Sequence, residues 1–141
     1  MIFIENKTNI DINTNILEKI AKYLTISKDI ELIITDDSDI KSINKEYRGV
    51  DKSTDVLSFP LQDLEFMPLG SIVISIDSAK KAANEYNHSL DSEISLLFTH
   101  GVLHLLGYDH EIDNGEMRKK EQEIVEYFNL PKSLIVRVMG E

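Results

Sequence analysis

The chain contains no cysteine. Disulfides, thiolate zinc sites and cysteine redox chemistry are therefore excluded, and any bound metal has to be held by His, Asp or Glu. Long apolar runs are missing too; none approaches the roughly 18 residues that a membrane span needs. Proline is sparse, and Pro60, Pro68 and Pro131 punctuate elements without marking a linker. No repeat or low-complexity tract interrupts the 141 residues. That length suits one domain, 1–141, able to bury roughly two thirds of its unfolded surface without staples. Basic residues are the minority, 15 against 25 acidic, for a formal net charge of −10 at pH 7. Such a balance opposes broad, non-specific binding to nucleic acid. At the N-terminus Met1-Ile2-Phe3-Ile4 runs at once into Glu5, Asn6 and Lys7. A secretory signal needs basic residues first and a longer apolar stretch, so a cytoplasmic location is expected.

What is present has the composition of a soluble globule, 42% hydrophobic and 28% charged. Ile2 to Ile4 reads as a first strand, and Ile16, Ile20, Tyr23 and Leu24 recur at helical spacing, predicting a helix from about Asn13. The β-branched run Ile30-Glu31-Leu32-Ile33-Ile34 predicts a largely buried strand. Ile40, Ile43 and Tyr47 share a helical face, with Ser38 or Asp39 placed to cap it. Val56 to Phe59 and Ile72 to Ile76 predict two more strands, separated by Pro60, Pro68 and Gly70. Helices are then expected from Asp77 to about Asn87, from about Asp91 to Leu106 and from about Asp113 to Phe128. Strands dominate the first half and helices the second, which predicts an α+β fold with a small sheet carrying helices.

Three of the four histidines fall within His100-Gly101-Val102-Leu103-His104-Leu105-Leu106-Gly107-Tyr108-Asp109-His110. On a helix, His100 and His104 project within about 40° of each other and can grip one ion. A third ligand on the same helix would lie too far along it, so the chain has to turn back. Gly107 is placed to make that turn, because glycine accepts the left-handed backbone that ends a helix. His110 can then reach the third corner of a tetrahedron. Three imidazoles leave one position open, as in catalytic zinc sites. His88 stands apart and carries no such reading.

This spacing is that of the long metzincin motif, His-Glu-x-x-His-x-x-Gly-x-x-His, except that Gly101 stands where those peptidases carry their glutamate base. Glycine cannot take a proton, so the chemistry differs from peptide hydrolysis or the base comes from elsewhere. Glu93, on the same predicted helix, reads as a solvated residue or, alternatively, as a carboxylate supporting a ligand. Asp109 can orient an imidazole or simply bond the backbone of its own turn. A second polar stretch, Asn44 to Pro60, gathers Arg48, Lys52, Ser53 and Thr54 between a helix and a strand. An arginine there can clamp a phosphate through its planar fork of donors, or pair with Asp51 or Asp55 and pin the loop.

Tyr47-Arg48-Gly49, then Ser53-Thr54-Asp55-Val56-Leu57-Ser58-Phe59-Pro60, together with the histidine segment, closely resemble the YbeY family of metal-dependent endoribonucleases. Met117, Glu121 and Ile124, spaced four and three apart, also resemble that family's last helix. One departure is Gly70-Ser71, where the family usually has Gly-Asp. The resemblance implies a zincin-like α+β fold with a small mixed four-stranded sheet and the metal site on a helix and its following turn. It implies one Zn2+ per chain on His100, His104 and His110, with Arg48 and His110 as catalytic residues. It further implies a single-strand-specific endoribonuclease acting in 16S rRNA 3′-end maturation and ribosome quality control. Precursor rRNA and a ribosomal subunit or ribosome-associated proteins are the expected partners, with no membrane contact and a monomeric state.

Two other functions fit the residues. A zinc peptidase is opposed by Gly101. A non-catalytic ribosome-assembly factor with a structural zinc is kept open by the acidic charge, which suggests that another protein or a ribosomal subunit delivers the RNA.

Overall fold

The predicted strands pair into one mixed sheet. The computed structural model describes residues 1–131, in which β1 (Ile2–Asn6), β2 (Ile30–Thr35), β3 (Val56–Pro60) and β4 (Gly70–Ser75) lie in the order β1-β2-β4-β3. β1 runs parallel to β2 and β2 to β4, while β3 is antiparallel to β4 and forms an edge. Five helices are seen among the described residues: α1 (Asn15–Tyr23), α2 (Asp37–Arg48), α3 (Ile76–Glu85), α4 (Leu90–Leu105) and α5 (Glu116–Phe128). The expected α+β class with a four-stranded mixed sheet is thus observed. No described helix is long and apolar enough to cross a membrane.

Side-chain alternation along the strands decides what covers each face of the sheet. Leu32, Ile34, Ile72 and Ile74 join Leu97, Phe98 and Leu103 of α4 in the main core. Leu57 and Val73 point the other way and meet Ile40 of α2 in a smaller cluster that Ile33 and Phe59 adjoin. α4 is apolar around most of its circumference and is buried accordingly, with 11 of its 16 residues inaccessible. Its two buried hydroxyls are satisfied within the helix: Ser95 donates to the Asp91 carbonyl and Thr99 to the Ser95 carbonyl, each at 2.8 Å. A buried helix spanning the sheet gives the histidines a rigid support.

Several predicted boundaries move, in each case because a side chain caps the backbone. Asp36, not Ser38 or Asp39, caps α2 by accepting the Asp39 N–H at 2.8 Å. Ile76, expected to end a strand, opens α3, because the Ser75 hydroxyl accepts from the Ser78 N–H. Asp113 does not begin the last helix. Its carboxylate holds the preceding turn by accepting from the N–H groups of Gly115 and Met117.

Candidate metal centre and cleft

α4 carries His100 and His104, both half-buried, one turn apart near its C-terminal end. The helix stops as anticipated: Gly107 adopts a φ of 99° and donates its N–H to the His104 carbonyl at 3.0 Å. Tyr108 N–H closes the same turn on the Leu103 carbonyl at 3.0 Å. The chain reverses and His110 comes back against the pair, its ring centroid 5.3 Å from that of His100 and 5.7 Å from that of His104. One nitrogen from each of the three imidazoles lies within 4.8 Å of the others. The Nε2 atoms of His100 and His104 approach to 3.2 Å, close to the ~3.3 Å edge of a tetrahedron with metal–nitrogen bonds of about 2.0–2.1 Å. His110 Nδ1 is buried and has no hydrogen-bond partner. A buried nitrogen with no hydrogen-bond partner among the described residues is suited to ligate an ion. These residues fit a metal, and His100, His104 and His110 could hold one ion.

Electrostatics suits that role. Burial, followed by the charges of His100 and His110, holds His104 below the ordinary imidazole range, with the Tyr108 main chain and Asp109 acting in the opposite sense. A depressed pKa keeps the ring neutral and its lone pair free at neutral pH. His100 is fixed from its other side, where Nδ1 donates to Glu121 Oε2 at 2.6 Å. Glu121, on α5, is only 2% exposed.

A cleft of about 500 Å³ opens beside the histidines, lined by His100, His104, residues of β3 and Arg48. Thr54, Asp55, Tyr108 and Asp109 complete its polar lining. Lys52 and Ser53 are exposed and do not line it; the Lys52 carbonyl instead accepts from Asn44 Nδ2 and anchors the loop. Arg48 reaches the cleft by donating from Nη2 to the Ser58 carbonyl at 2.6 Å, with its guanidinium carbon 5.4 Å from the Phe59 ring centroid. Neither Asp51 nor Asp55 pairs with it. Asp51 lies 4.0 Å from Lys45, and Asp55 Oδ1 accepts from the Val56 N–H at 2.7 Å.

The edge of β3 along this cleft is blunted. Asp55 O accepts from Ser75 N and Leu61 N donates to Leu69 O, so odd-numbered residues bond β4 and even-numbered ones face outward. Of the outward positions, Val56 has its N–H taken by Asp55, Ser58 has its carbonyl taken by Arg48, and Pro60 has no N–H.

Other candidates fall elsewhere. Gly101 faces the sheet: a Cβ there would lie 2.9 Å from Ile72 Cγ2 and 3.2 Å from Ser58 Oγ. The Ser58 hydroxyl also donates to the Gly101 carbonyl at 3.0 Å. Position 101 therefore has no room for the peptidase glutamate. Glu93, expected to be solvated, is 1% exposed and accepts from His88 Nε2 at 2.7 Å, so His88 does not stand apart either. Asp109 Oδ1 accepts from the Glu111 N–H in its own turn. Ser71 bonds Glu31 in a groove on the opposite, α2-covered side of the sheet, so the family departure there does not touch the cleft. His110 belongs to the cluster but not to the cleft wall. Glu121 was missed as a site residue. Its one sequence signal was a carboxylate set between Met117 and Ile124 on a buried helix face.

A family model described as Endoribonuclease YbeY matches residues 2–129. The chain is 62% identical over 137 residues to the Endoribonuclease YbeY of Nautilia profundicola, covering 97% of this chain and 98% of that one. It is 58% identical over 131 residues to that of Campylobacter jejuni subsp. jejuni, covering 92% and 97%. The solution structure of TM1509 from Thermotoga maritima superposes with a TM-score of 0.61 at 31% identity, over 89% of this chain and 87% of that one.

Proposed function

Because the chain belongs to the YbeY family of endoribonucleases, we propose that it is a single zincin-like catalytic domain that cleaves single-stranded RNA with zinc. Its substrate on this reading is precursor rRNA, with 16S rRNA 3′-end maturation and ribosome quality control as the process served. The observation that carries the reading is the convergence of three imidazole nitrogens within 4.8 Å beside a cleft that Arg48 also lines.

His100, His104 and His110 would hold the ion, which when bound supplies Lewis acidity to the phosphodiester and a nucleophile at neutral pH. Arg48 binds the phosphate in the same cleft and stabilises the charge that builds on it. The Ser58 carbonyl and the Phe59 ring hold its guanidinium in place beforehand, so little ordering is left for the reaction to supply. No carboxylate occupies position 101, so proton transfer does not follow the peptidase route. The β3 edge argues the same way. A polypeptide docks on an exposed strand by completing its ladder, and each outward residue of β3 has already lost a ladder group.

The net charge of −10 favours one addition: the RNA is delivered by a ribosomal subunit or a ribosome-associated protein, not captured free from solution. The chain acts as a cytoplasmic monomer on this reading. The test incubates the purified protein with a single-stranded and a duplex RNA of the same sequence, with chelator and after zinc is restored. Cleavage confined to the single strand, lost with chelator and regained with zinc, is expected. Binding without turnover under all conditions would favour the assembly-factor role instead.

A further inference from the structure

We infer that Glu121 is a positioning residue for the metal centre, its carboxylate locking the His100 ring so that Nε2 is presented to the ion. The inference rests on the metal reading above and adds a residue to it. The observations are geometric. His100 Nδ1 lies 2.6 Å from Glu121 Oε2, and the side chains are 13% and 2% exposed. With the carboxylate oxygen as acceptor at this distance, the ring hydrogen is placed on Nδ1 and the lone pair is left on Nε2. That Nε2 is the atom that approaches His104 Nε2 to 3.2 Å. The hydrogen bond thus selects the tautomer and the ring orientation that a metal requires.

The setting shows what the carboxylate adds beyond packing. Glu121 shares its helix face with Met117 and Ile124, both fully buried in the core. Enclosing a carboxylate on such a face carries a desolvation cost, which the hydrogen bond to His100 helps to offset. What an apolar side chain cannot do is accept from Nδ1. Glu93, the carboxylate two turns earlier on α4, is engaged with His88. Among the described residues the polar support of His100 therefore comes from α5, which ties that helix to the site.

The test separates positioning from packing by measuring Zn2+ affinity through competition with a chromogenic chelator, and the melting temperature of the metal-free protein. Glu121→Leu should weaken zinc binding by about 10–100-fold, the range for losing such a support, a loss that persists when affinity is read well below the melting temperature of the metal-free variant. Glu121→Gln keeps an acceptor for Nδ1 without the charge and should lose less affinity than Glu121→Leu. It also serves if the leucine variant does not fold. Zinc affinity unchanged in both variants, or a loss in Glu121→Leu matched by a fall in metal-free stability with Glu121→Gln unaffected, would overturn the proposal. If wild-type protein takes up no zinc, the metal reading itself fails along with it.

Discussion

Replacing Arg48 by alanine removes two things of different size. The first is local: a charge-assisted hydrogen bond of 2.6 Å to the Ser58 carbonyl and a cation–π contact at 5.4 Å to Phe59. Such a bond contributes about 1.5–3 kcal/mol when shielded, and an exposed cation–π contact about 0.5–1 kcal/mol. Arg48 is solvent-exposed, so screening reduces the combined loss to about 1–2 kcal/mol. For 141 residues the unfolding entropy is about 0.3 kcal/mol per kelvin, and the melting temperature should fall by about 3–7 °C. The second loss is catalytic. One charged transition-state donor is worth about 10²-fold or more, equivalent to at least about 2.7 kcal/mol. The two are separable because a domain with about 5–15 kcal/mol of stability stays folded after losing 2. Single-turnover cleavage of a single-stranded RNA, run about 15 °C below the variant's melting temperature with zinc content matched, should therefore still show the full catalytic deficit. Arg48→Lys should recover part of it, since an ammonium cannot make the bidentate contact. Wild-type rates in a folded, zinc-loaded Arg48→Ala protein would refute the reasoning and leave Arg48 as a cap on the β3 edge.

Zinc at 100 times its dissociation constant adds about 2.7 kcal/mol to the folded state, a rise of about 9 °C in melting temperature; His104→Ala should lose nearly all of it, and an unshifted wild type would contradict the coupling. Without metal, the depressed pKa of His104 means that the unfolded chain protonates first. Its contribution is complete above about pH 6.5 and is lost as pH falls from there through the lower folded value. Metal-free melts from pH 8 to 5 should therefore fall more steeply for wild type than for His104→Gln, and parallel curves would contradict this. Gly101→Glu forces a carboxylate against Ile72 and Ser58 and should abolish stable folding. Gly101→Ala, with overpacking of about 1–3 kcal/mol set against about 1 kcal/mol of helix propensity, should lose 2 kcal/mol at most. A glutamate variant melting like wild type would show that position 101 does not face the sheet.

The element order and the histidine turn were legible because both depend on local pattern. His100 and His104 needed only helical spacing, and the reversal before His110 needed only a glycine able to take φ 99°. Partners across the fold were not legible. Glu93 and Glu121 are ordinary helix carboxylates until packing encloses them, and nothing near Glu121 in sequence names a histidine 21 residues away. Ile76 read as strand because its apolar run is continuous with Ile72 to Ile74, and the Ser75 cap alone ends it. The orientation of Ser71 was available in principle, since it alternates in phase with Val73 toward α2. Arg48 was found but its anchor was not. The Ser58 carbonyl is free only because β3 is an edge, and edges are set by strand order.

The central claim, that His100, His104 and His110 make one catalytic metal site in a cleft that cuts RNA, is met most directly by titrating Zn2+ into chelator-stripped protein while following cleavage of a single-stranded RNA. The account predicts no cleavage at the start and a rise that saturates at one zinc per chain. Cleavage already at its full rate in the stripped protein, and indifferent to added zinc, would contradict it.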